Sequence, residues 1–309
     1  MNISAMLLLA VLAAVAGCSS ESGGAGGDGG TGGGQARSCA TDISMGEVQM
    51  FGDPTPTNTE GIVFDGEGAL YVSAQDRSGP DQLLAVAVDG TYESVAEADS
   101  ILGLESDERG ILGAGIQTEN LLLIDPSDGS SEEVATGLGE PNFVVTTPWG
   151  TILVSDDRPD VGSILEVTRD GEVSVWSDEV PTPNGMVFSL DGAWLYVAAT
   201  FDEAGLWRIP VSGEAAGTAE KWVAYDTSAP DGVAIDSEGN VYVALNTAGQ
   251  IAKVDSEGSS TTLADEFRGV GPASIAFGQG DFDPCSLYVT SLFTPQMYRV
   301  GAGVLGVEK

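Results

Sequence analysis

Four side chains with oxygen donors recur at equivalent places along the sequence. Each begins a short apolar run, and they are Glu60, Asn142, Asn184 and Asp231. Carboxylate and amide oxygens are the donors that a hard divalent cation such as Ca²⁺ prefers, and two carboxylates neutralise its charge. If the four positions meet in the fold, they predict a cation site that water or a substrate would complete.

The composition excludes several other kinds of chemistry. The chain of 309 residues contains no histidine, which excludes Ser-His-Asp and Cys-His catalysis and histidine-bound zinc. Its 47 acidic and 11 basic residues give a net charge of −36. We therefore expect no nucleic-acid partner, because the chain has no basic patch that would displace counterions from phosphates.

The four residues belong to six copies of one sequence unit. The units start 42, 40, 42, 47 and 42 residues apart, and the same first position holds Leu102 and Ala273 in the other two. Each unit contains short β-rich runs separated by turns such as Asp-Gly and Glu-Gly, and no long stretch has helical periodicity. This pattern predicts an all-β fold, a six-bladed β-propeller with four-stranded blades over residues 42–309.

The two ends of the propeller are expected to meet in one blade. The last unit lacks a good fourth strand, whereas Gly46–Phe51 has that pattern and precedes the first unit. We expect this N-terminal strand to close the last blade and leave no unpaired edge. Cys39 lies just before it and Cys285 lies in the last blade, so the two either form a disulfide or are independent thiols. A disulfide closing so long a loop would contribute about 4 to 5 kcal/mol in the chain-entropy model.

The blade geometry predicts where the oxygen donors lie. The first residues of each innermost strand face the axis at one mouth of the wheel, so the donors should converge there. An alternative is that Pro183–Gly185 and Pro230–Gly232 are only turns, since both have turn-forming sequences. Glu60 is not a turn residue, and Phe143 after Asn142 spoils an Asn-Gly turn. These two positions favour the cation site.

The first 41 residues have the features of an export signal and a tether. Ala5–Gly17 is apolar but too short to span a bilayer as a helix, and it leads into Cys18 in a sequence that resembles a bacterial lipobox. We expect residues 1–18 to be a lipoprotein signal peptide and residues 19–41 a flexible Gly/Ser-rich linker. An ordinary signal peptide with an incidental cysteine is the alternative.

The expected location follows from this segment. Ser19, rather than aspartate, follows the cysteine, which by analogy with enteric sorting favours the outer membrane or cell surface. We expect a monomer in the bacterial cell envelope that contacts the membrane only through its lipid anchor.

At these residues the chain resembles the senescence marker protein/gluconolactonase/luciferin-regenerating enzyme family. The matching motifs run through the propeller as Thr59-Glu60-Gly61, Pro141-Asn142, Pro183–Phe188 and Pro230–Asp236. The resemblance implies that Glu60, Asn184 and Asp231 bind a divalent cation, usually calcium, and that Asn142 lies in the same site. It also implies hydrolysis of a small lactone or ester, with Mg²⁺, Mn²⁺ and Zn²⁺ as alternative cations.

The resemblance further implies roles for individual residues. Asp231 would be catalytic, either taking a proton from the attacking water or attacking the substrate directly. Sugar-lactone hydrolases of the family have an arginine and an aspartate where this chain has Glu140 and Phe143. We expect Asn142, Glu140 and Arg158 to contact the small-molecule substrate, with Glu140 repelling anions. Arg158 either replaces the missing arginine or forms a surface ion pair with its acidic neighbours.

Two other functions fit the same residues. A tethered propeller could bind a ligand or partner around a structural cation without catalysis, and the lost arginine favours this alternative. A plain adhesion module would bind no cation.

Replacement of Cys18 by serine tests the lipid anchor. Because the cysteine thiol is the acylation site, we expect Cys18→Ser protein to lose labelled palmitate and to leave the membrane fraction. Ser19→Ala is the matched control and should keep both properties. Unchanged membrane association of the Cys18 variant would contradict the anchor.

Overall fold

The part of the chain that the structure describes is built from strands alone. The computed structural model describes residue 39 and residues 42–307, except residues 160 and 268. These residues form 25 strands. Among them there is no helix that could span a membrane. The predicted signal peptide with Cys18 lies outside the described residues, and so does the predicted linker apart from Cys39.

The strands follow one another in groups, one group to a blade. Strand β1 spans Val48–Phe51 and precedes the first group. The first three blades contain β2 (Thr59–Phe64), β3 (Leu70–Ala74), β4 (Asp81–Val86) and β5 (Tyr92–Ala98), then β6 (Leu104–Asp107), β7 (Gly110–Gly115), β8 (Asn120–Ile124) and β9 (Ser131–Thr136), then β10 (Pro141–Thr146), β11 (Ile152–Asp156), β12 (Ser163–Val167) and β13 (Val173–Ser177). The last three contain β14 (Pro183–Phe188), β15 (Trp194–Ala199), β16 (Gly205–Ser212), β17 (Ala215–Ala216) and β18 (Glu220–Ala224), then β19 (Pro230–Ile235), β20 (Val241–Leu245), β21 (Gln250–Val254) and β22 (Ser260–Ala264), then β23 (Pro272–Phe277), β24 (Ser286–Ser291) and β25 (Met297–Gly301).

Six antiparallel sheets confirm the predicted six-bladed propeller. The sixth sheet has the strand order β1-β25-β24-β23, with Val48 of β1 opposite Val300 of β25. The N-terminal strand therefore closes the last blade, as expected from the incomplete sixth unit. Cys39 and Cys285 form a disulfide, which adds a covalent link between the segment before β1 and the last blade.

Two blades depart from the regular unit. In the fourth, β16 pairs with β18 and then continues into a short hairpin with β17, which accommodates the longer spacing of that unit. In the second, the innermost strand β6 begins at Leu104, so Leu102 precedes the strand rather than opening it. Leu102 still donates its N–H to the carbonyl of Ala114 at 2.7 Å.

Burial decreases from the axis to the rim of each blade. Every residue of the innermost strands β2 and β19 is buried, whereas the outer strands β13 and β22 each begin with three exposed residues. The apolar core lies in layers between neighbouring blades, where side chains of facing sheets interdigitate. One such layer joins Leu112 and Leu121 of the second blade to Val144 and Ile152 of the third.

Many acidic residues stabilise the hairpin turns. In the turn between β2 and β3, Asp65 Oδ1 accepts hydrogen bonds from the N–H groups of Glu67 and Ala69 at 2.9 and 2.8 Å. Asp255 makes the same pair of contacts in the turn between β21 and β22. These carboxylates satisfy backbone donors that would otherwise lack partners.

Glycines allow the blades to approach each other closely near the axis. A Cβ atom on Gly61 or Gly185 would lie less than 3 Å from a backbone oxygen of the next blade, that of Leu102 or Asp231. The glycine beside Asn184 thus lies within strand β14, not in a turn. The alternative that these Asn-Gly and Asp-Gly pairs are only turns is therefore wrong, because the glycine serves packing between blades.

Gly185→Ala tests this packing. We expect it to lower the free energy of unfolding by about 1–3 kcal/mol, because the added methyl group forces neighbouring backbones apart. The measurement is urea unfolding in the presence of a chelator. Gly66→Ala is the matched control, because a Cβ there has open space, and it should change stability by less than about 0.5 kcal/mol. Equal stability of the two variants would contradict close packing at the axis.

Candidate functional site

Four innermost strands carry an oxygen-bearing side chain at their second residue. They are Glu60 in β2, Asn142 in β10, Asn184 in β14 and Asp231 in β19. In each strand the pairing register shifts between the first and fourth residues, so the polar side chain lies in a β-bulge. A bulge redirects a side chain out of the regular alternation of a strand. The same irregularity in four blades places these side chains at the same end of the axis.

Hydroxyl groups on the second strands hold two of the bulges. The N–H of Gly61 donates to Ser73 Oγ at 2.7 Å, and the N–H of Phe143 donates to Ser155 Oγ at 2.9 Å. Ser73 Oγ in turn donates to the carbonyl of Leu102 in the next blade at 2.7 Å. The hydroxyls thus satisfy backbone groups that the bulge leaves without ladder partners. The sequence-based prediction omits them, although a Val-Ser pair recurs in the second run of both units.

The backbone before two of the polar residues is held in an unusual conformation. Thr182 and Ala229 have φ angles of +44° and +46°, and each lies two residues before Asn184 or Asp231. Non-glycine residues in this region carry strain that the surrounding structure must maintain. Here the carbonyl of Ala229 accepts the N–H of Asn246 at 3.0 Å, which ties this segment to the end of β20.

Each of the four side chains has a buried oxygen without a hydrogen-bond partner. The four residues are only 3–6% exposed. The unpartnered atoms are Glu60 Oε2, Asn142 Oδ1, Asn184 Oδ1 and Asp231 Oδ1, and they are four of the six such side-chain atoms within the described ranges. An unpaired buried polar atom costs free energy, and native proteins contain few of them. This donor set fits a hard cation, which would supply the missing partner to all four.

Burial and mutual repulsion make the carboxylates of the site difficult to ionise. Burial and the nearby charge of Asp157 raise the pKa of Asp231 to about 7. The pKa of Glu60 lies well above its ordinary value because of burial, with the charges of Asp231 and Asp157 as further causes. A cation at this end of the axis would offset both effects.

Asp157 is a site residue that the sequence-based prediction missed. It follows β11, is 8% exposed, and accepts a hydrogen bond from Asn142 Nδ2 at 2.8 Å. Burial raises its pKa to about 6, and the hydrogen bond from Asn142 opposes that shift. The sequence contains a signal for it. Asp157 directly follows the second strand of the third blade, as Asn246 directly follows the second strand of the fifth blade.

Asn246 supports the carboxylate of Asp231. Its Nδ2 lies 3.5 Å from Asp231 Oδ2 and 3.4 Å from the carbonyl oxygen of Pro272 in the last blade. One carboxylate oxygen of Asp231 therefore has a neutral donor, while the other is the unpartnered Oδ1. The remaining two blades contribute Leu102 and Ala273, both buried, at the corresponding sequence positions.

The predicted substrate contacts lie beside Asn142. Glu140 is exposed, and its N–H donates to Asp156 Oδ1 at 3.1 Å. The guanidinium of Arg158 binds Asp156 through Nε–Oδ1 and Nη2–Oδ2 contacts of 2.9 and 2.5 Å. The Asp156 side chain is fully buried and that of Arg158 is 43% exposed. The ion pair that the sequence left as one alternative for Arg158 is thus present, formed with Asp156.

An apolar cavity occupies the axis further along the same strands. Its volume is about 320 Å³, and all six innermost strands contribute to its wall. The wall includes Phe64, Phe143, Met186, Ile235 and Phe277. The polar side chains at the starts of the strands therefore lie next to a largely apolar interior, whose wall also includes the buried Glu105.

A family model matches most of the propeller. The model described as the SMP-30/Gluconolactonase/LRE-like region matches residues 58–293. The matched segment begins one residue before β2 and ends two residues after β24, so it includes the four bulged strands and Asp157.

Two proteins with similar sequences are lactonases by name. Over 211 residues the chain is 27% identical to the pentonolactonase of Haloferax volcanii, a match that covers 65% of this chain and 70% of that protein. Over 155 residues it is 30% identical to the 6-deoxy-6-sulfogluconolactonase of Pseudomonas putida, covering 47% of this chain and 51% of that protein. The second match thus spans about half the length of that relative.

A solved structure has the same fold. The calcium-binding protein regucalcin from Agrobacterium tumefaciens superimposes with a TM-score of 0.67 at 21% sequence identity. The match covers 82% of this chain and 93% of the regucalcin chain.

Asp231→Asn should stabilise the cation-free protein at pH 8. The folded-state pKa of Asp231 is about 7, above the ordinary 3.8, so stability falls as the pH rises from about 4 through 7. Asparagine avoids this loss, which amounts to at most about 4 kcal/mol at 1.4 kcal/mol per pKa unit. Urea unfolding in a chelator should show a larger gain at pH 8 than at pH 5.

Calcium provides the second arm of this test. A cation that binds only the folded state stabilises that state. Added Ca²⁺ should therefore raise the free energy of unfolding of the wild type more than that of the variant. Glu108→Gln, at an exposed turn, is the control and should show no such pH dependence. A variant less stable than the wild type in chelator at pH 8 would contradict repulsion at the site.

Proposed function

Since this chain belongs to the SMP-30/gluconolactonase/LRE-like family, we propose that it is a divalent-cation-dependent hydrolase of a small lactone or ester. The observation that supports this function most strongly is the set of four buried oxygens without partners at one end of the axis. The lactonase names of the two relatives support the reaction class.

The proposed cation ligands are Glu60, Asn142, Asn184 and Asp231. All four offer oxygen, which favours Ca²⁺, and the name of the regucalcin neighbour agrees with that choice. Mg²⁺, Mn²⁺ and Zn²⁺ are the alternatives that metal analysis would distinguish. When bound, the cation would act as a Lewis acid on the substrate carbonyl oxygen and stabilise the negative charge that develops there.

Asp231 is the proposed catalytic residue. Its Oδ2 is near the amide of Asn246, while its Oδ1 has no hydrogen-bond partner. The carboxylate either removes a proton from the attacking water or attacks the carbonyl carbon itself, which expels the alcohol oxygen and forms an anhydride that water then hydrolyses. By either route a lactone gives a hydroxy acid, and an ester gives an acid and an alcohol.

The charge around the site favours a neutral substrate. Glu140 is exposed beside Asp157, and the nearby guanidinium of Arg158 is neutralised by Asp156. An anionic lactone such as a sulfonated sugar would meet the negative charge of Glu140, and the paired Arg158 would not offset that charge. We therefore propose an uncharged lactone or ester that contacts Asn142 and Glu140, with Arg158 at the edge of the site.

The Arg158–Asp156 ion pair also favours a second candidate function. With its guanidinium bound to Asp156, Arg158 is not free to contact a sugar lactone. In this alternative the chain is a surface-tethered propeller that binds a ligand or partner, and its cation is structural. For both functions we propose a monomer held in the cell envelope by acylated Cys18.

Turnover with and without a cation separates the two functions. We expect the purified protein to hydrolyse at least one member of a panel of uncharged lactones and esters, and a chelator to abolish the activity. Asp231→Asn should lower kcat by roughly two to four orders of magnitude, because general acid–base catalysis contributes about that much. The measurement is pH-stat titration of the acid released.

Glu108→Gln is the control for this experiment and should retain full activity. Full activity of Asp231→Asn would contradict the catalytic role of Asp231. A wild type that binds calcium but hydrolyses nothing in the panel would favour the binding propeller.

A further inference from the structure

One buried carboxylate beside the site has no assigned role. Asp157 lies directly after β11 and is 8% exposed, and its Oδ2 accepts a hydrogen bond from Asn142 Nδ2 at 2.8 Å. It also lies close enough to Glu60 and Asp231 for its charge to act on both carboxyl groups.

This hydrogen bond determines which way the Asn142 amide points. An ionised carboxylate can only accept hydrogen bonds, so the amide must present Nδ2 to Asp157. The amide oxygen Oδ1 then faces away from Asp157, where it is buried and has no partner within the protein. With a neutral apolar residue at position 157, either orientation of the amide would be available.

The corresponding position in the fifth blade shows the same arrangement with the chemistry reversed. There Asn246 follows β20 and directs its Nδ2 toward Asp231 Oδ2 at 3.5 Å. A carboxylate on the innermost strand is thus supported by an amide, and an amide on the innermost strand is supported by a carboxylate. In both blades the supporting side chain leaves one oxygen of its partner, Oδ1, without a hydrogen bond.

We propose that Asp157 is a positioning residue of the cation site, which orients Asn142 Oδ1 toward the ion and adds a third negative charge beside it. This inference rests on the proposed function, since it requires that Glu60, Asn142, Asn184 and Asp231 hold a cation. Because Asp157 Oδ2 accepts the hydrogen bond from Asn142 Nδ2, Asp157 acts on the ion through Asn142.

The two contributions of Asp157 are separable by substitution. Asp157→Asn keeps an acceptor oxygen for Asn142 and removes the charge, whereas Asp157→Ala removes both. Substitution of residues that support metal ligands typically weakens metal binding by about 10- to 100-fold. We expect Kd for Ca²⁺ to rise about tenfold in Asp157→Asn and about 100-fold in Asp157→Ala.

The experiment is calorimetric titration of the full chain with Ca²⁺, without any measurement of turnover. The matched control is Glu108→Gln, which removes an exposed carboxylate from a turn outside the site, and its Kd should change less than threefold. A double-mutant cycle with Asn142→Ala tests the route of action. In that background Asp157→Asn and Asp157→Ala should have equal Kd values, because no amide remains to be oriented.

A melting temperature measured in chelator separates positioning from a purely structural role. A positioning role predicts that Asp157→Asn melts at or above the wild-type temperature, because a buried charge has been removed while an acceptor for the Asn142 amide remains. A lower melting temperature of Asp157→Asn, together with a loss of Ca²⁺ affinity in Asp157→Ala that keeps its full size in the Asn142→Ala background, would overturn the inference.

Two further outcomes distinguish the inference from the proposed function. Wild-type affinity in both Asp157 variants, or an equal loss in Glu108→Gln, would overturn the role of Asp157 while leaving the cation site intact. Failure of the wild type to bind Ca²⁺, Mg²⁺, Mn²⁺ or Zn²⁺ would overturn the proposed function itself.

Discussion

The main physical constraint on this propeller is a set of four buried oxygens at one end of the axis, two from carboxylates and two from amides. None of the four has a hydrogen-bond partner within the protein. Burial opposes their ionisation and raises the pKa of Glu60 and Asp231, and the charge of Asp157 adds to that effect. Folding nonetheless maintains the arrangement, even with left-handed backbone two residues before Asp231. The free-energy cost of burying these carboxylates is compatible with a stable protein when a ligand of opposite charge offsets it. Cation binding and stability should therefore be linked in this chain.

In each blade that carries a site residue, two strands position the side chain. The innermost strand presents the polar side chain in a bulge, and a glycine such as Gly185 lets the next blade approach closely. The second strand supplies the support: Ser73 holds the bulge at Gly61, and Asp157 holds the amide of Asn142. Because neighbouring blades share these contacts, the site depends on closure of the whole ring, which β1 and the disulfide complete.

Family membership and local charge together restrict the chemistry. The family and the two lactonase relatives support the proposed hydrolysis of a lactone or ester, and within that proposal Glu140 and the paired Arg158 disfavour a charged sugar lactone. The strongly acidic surface acts in the same direction, because a net charge of −36 disfavours approach of anions. An uncharged substrate is the one most compatible with both observations.

The sequence by itself determined the fold and the four proposed ligands, because each repeat has the same strand register and its first position can be aligned across the chain. In this way Glu60 and Asp231 could be assigned to the same site, although they lie far apart along the chain. Only the tertiary structure decided that Gly185 serves packing between blades, that Arg158 binds Asp156, and that Asp157 supports the Asn142 amide. Those facts depend on which atoms of other strands and blades lie within a few ångströms, and spacing along one chain carries no such information.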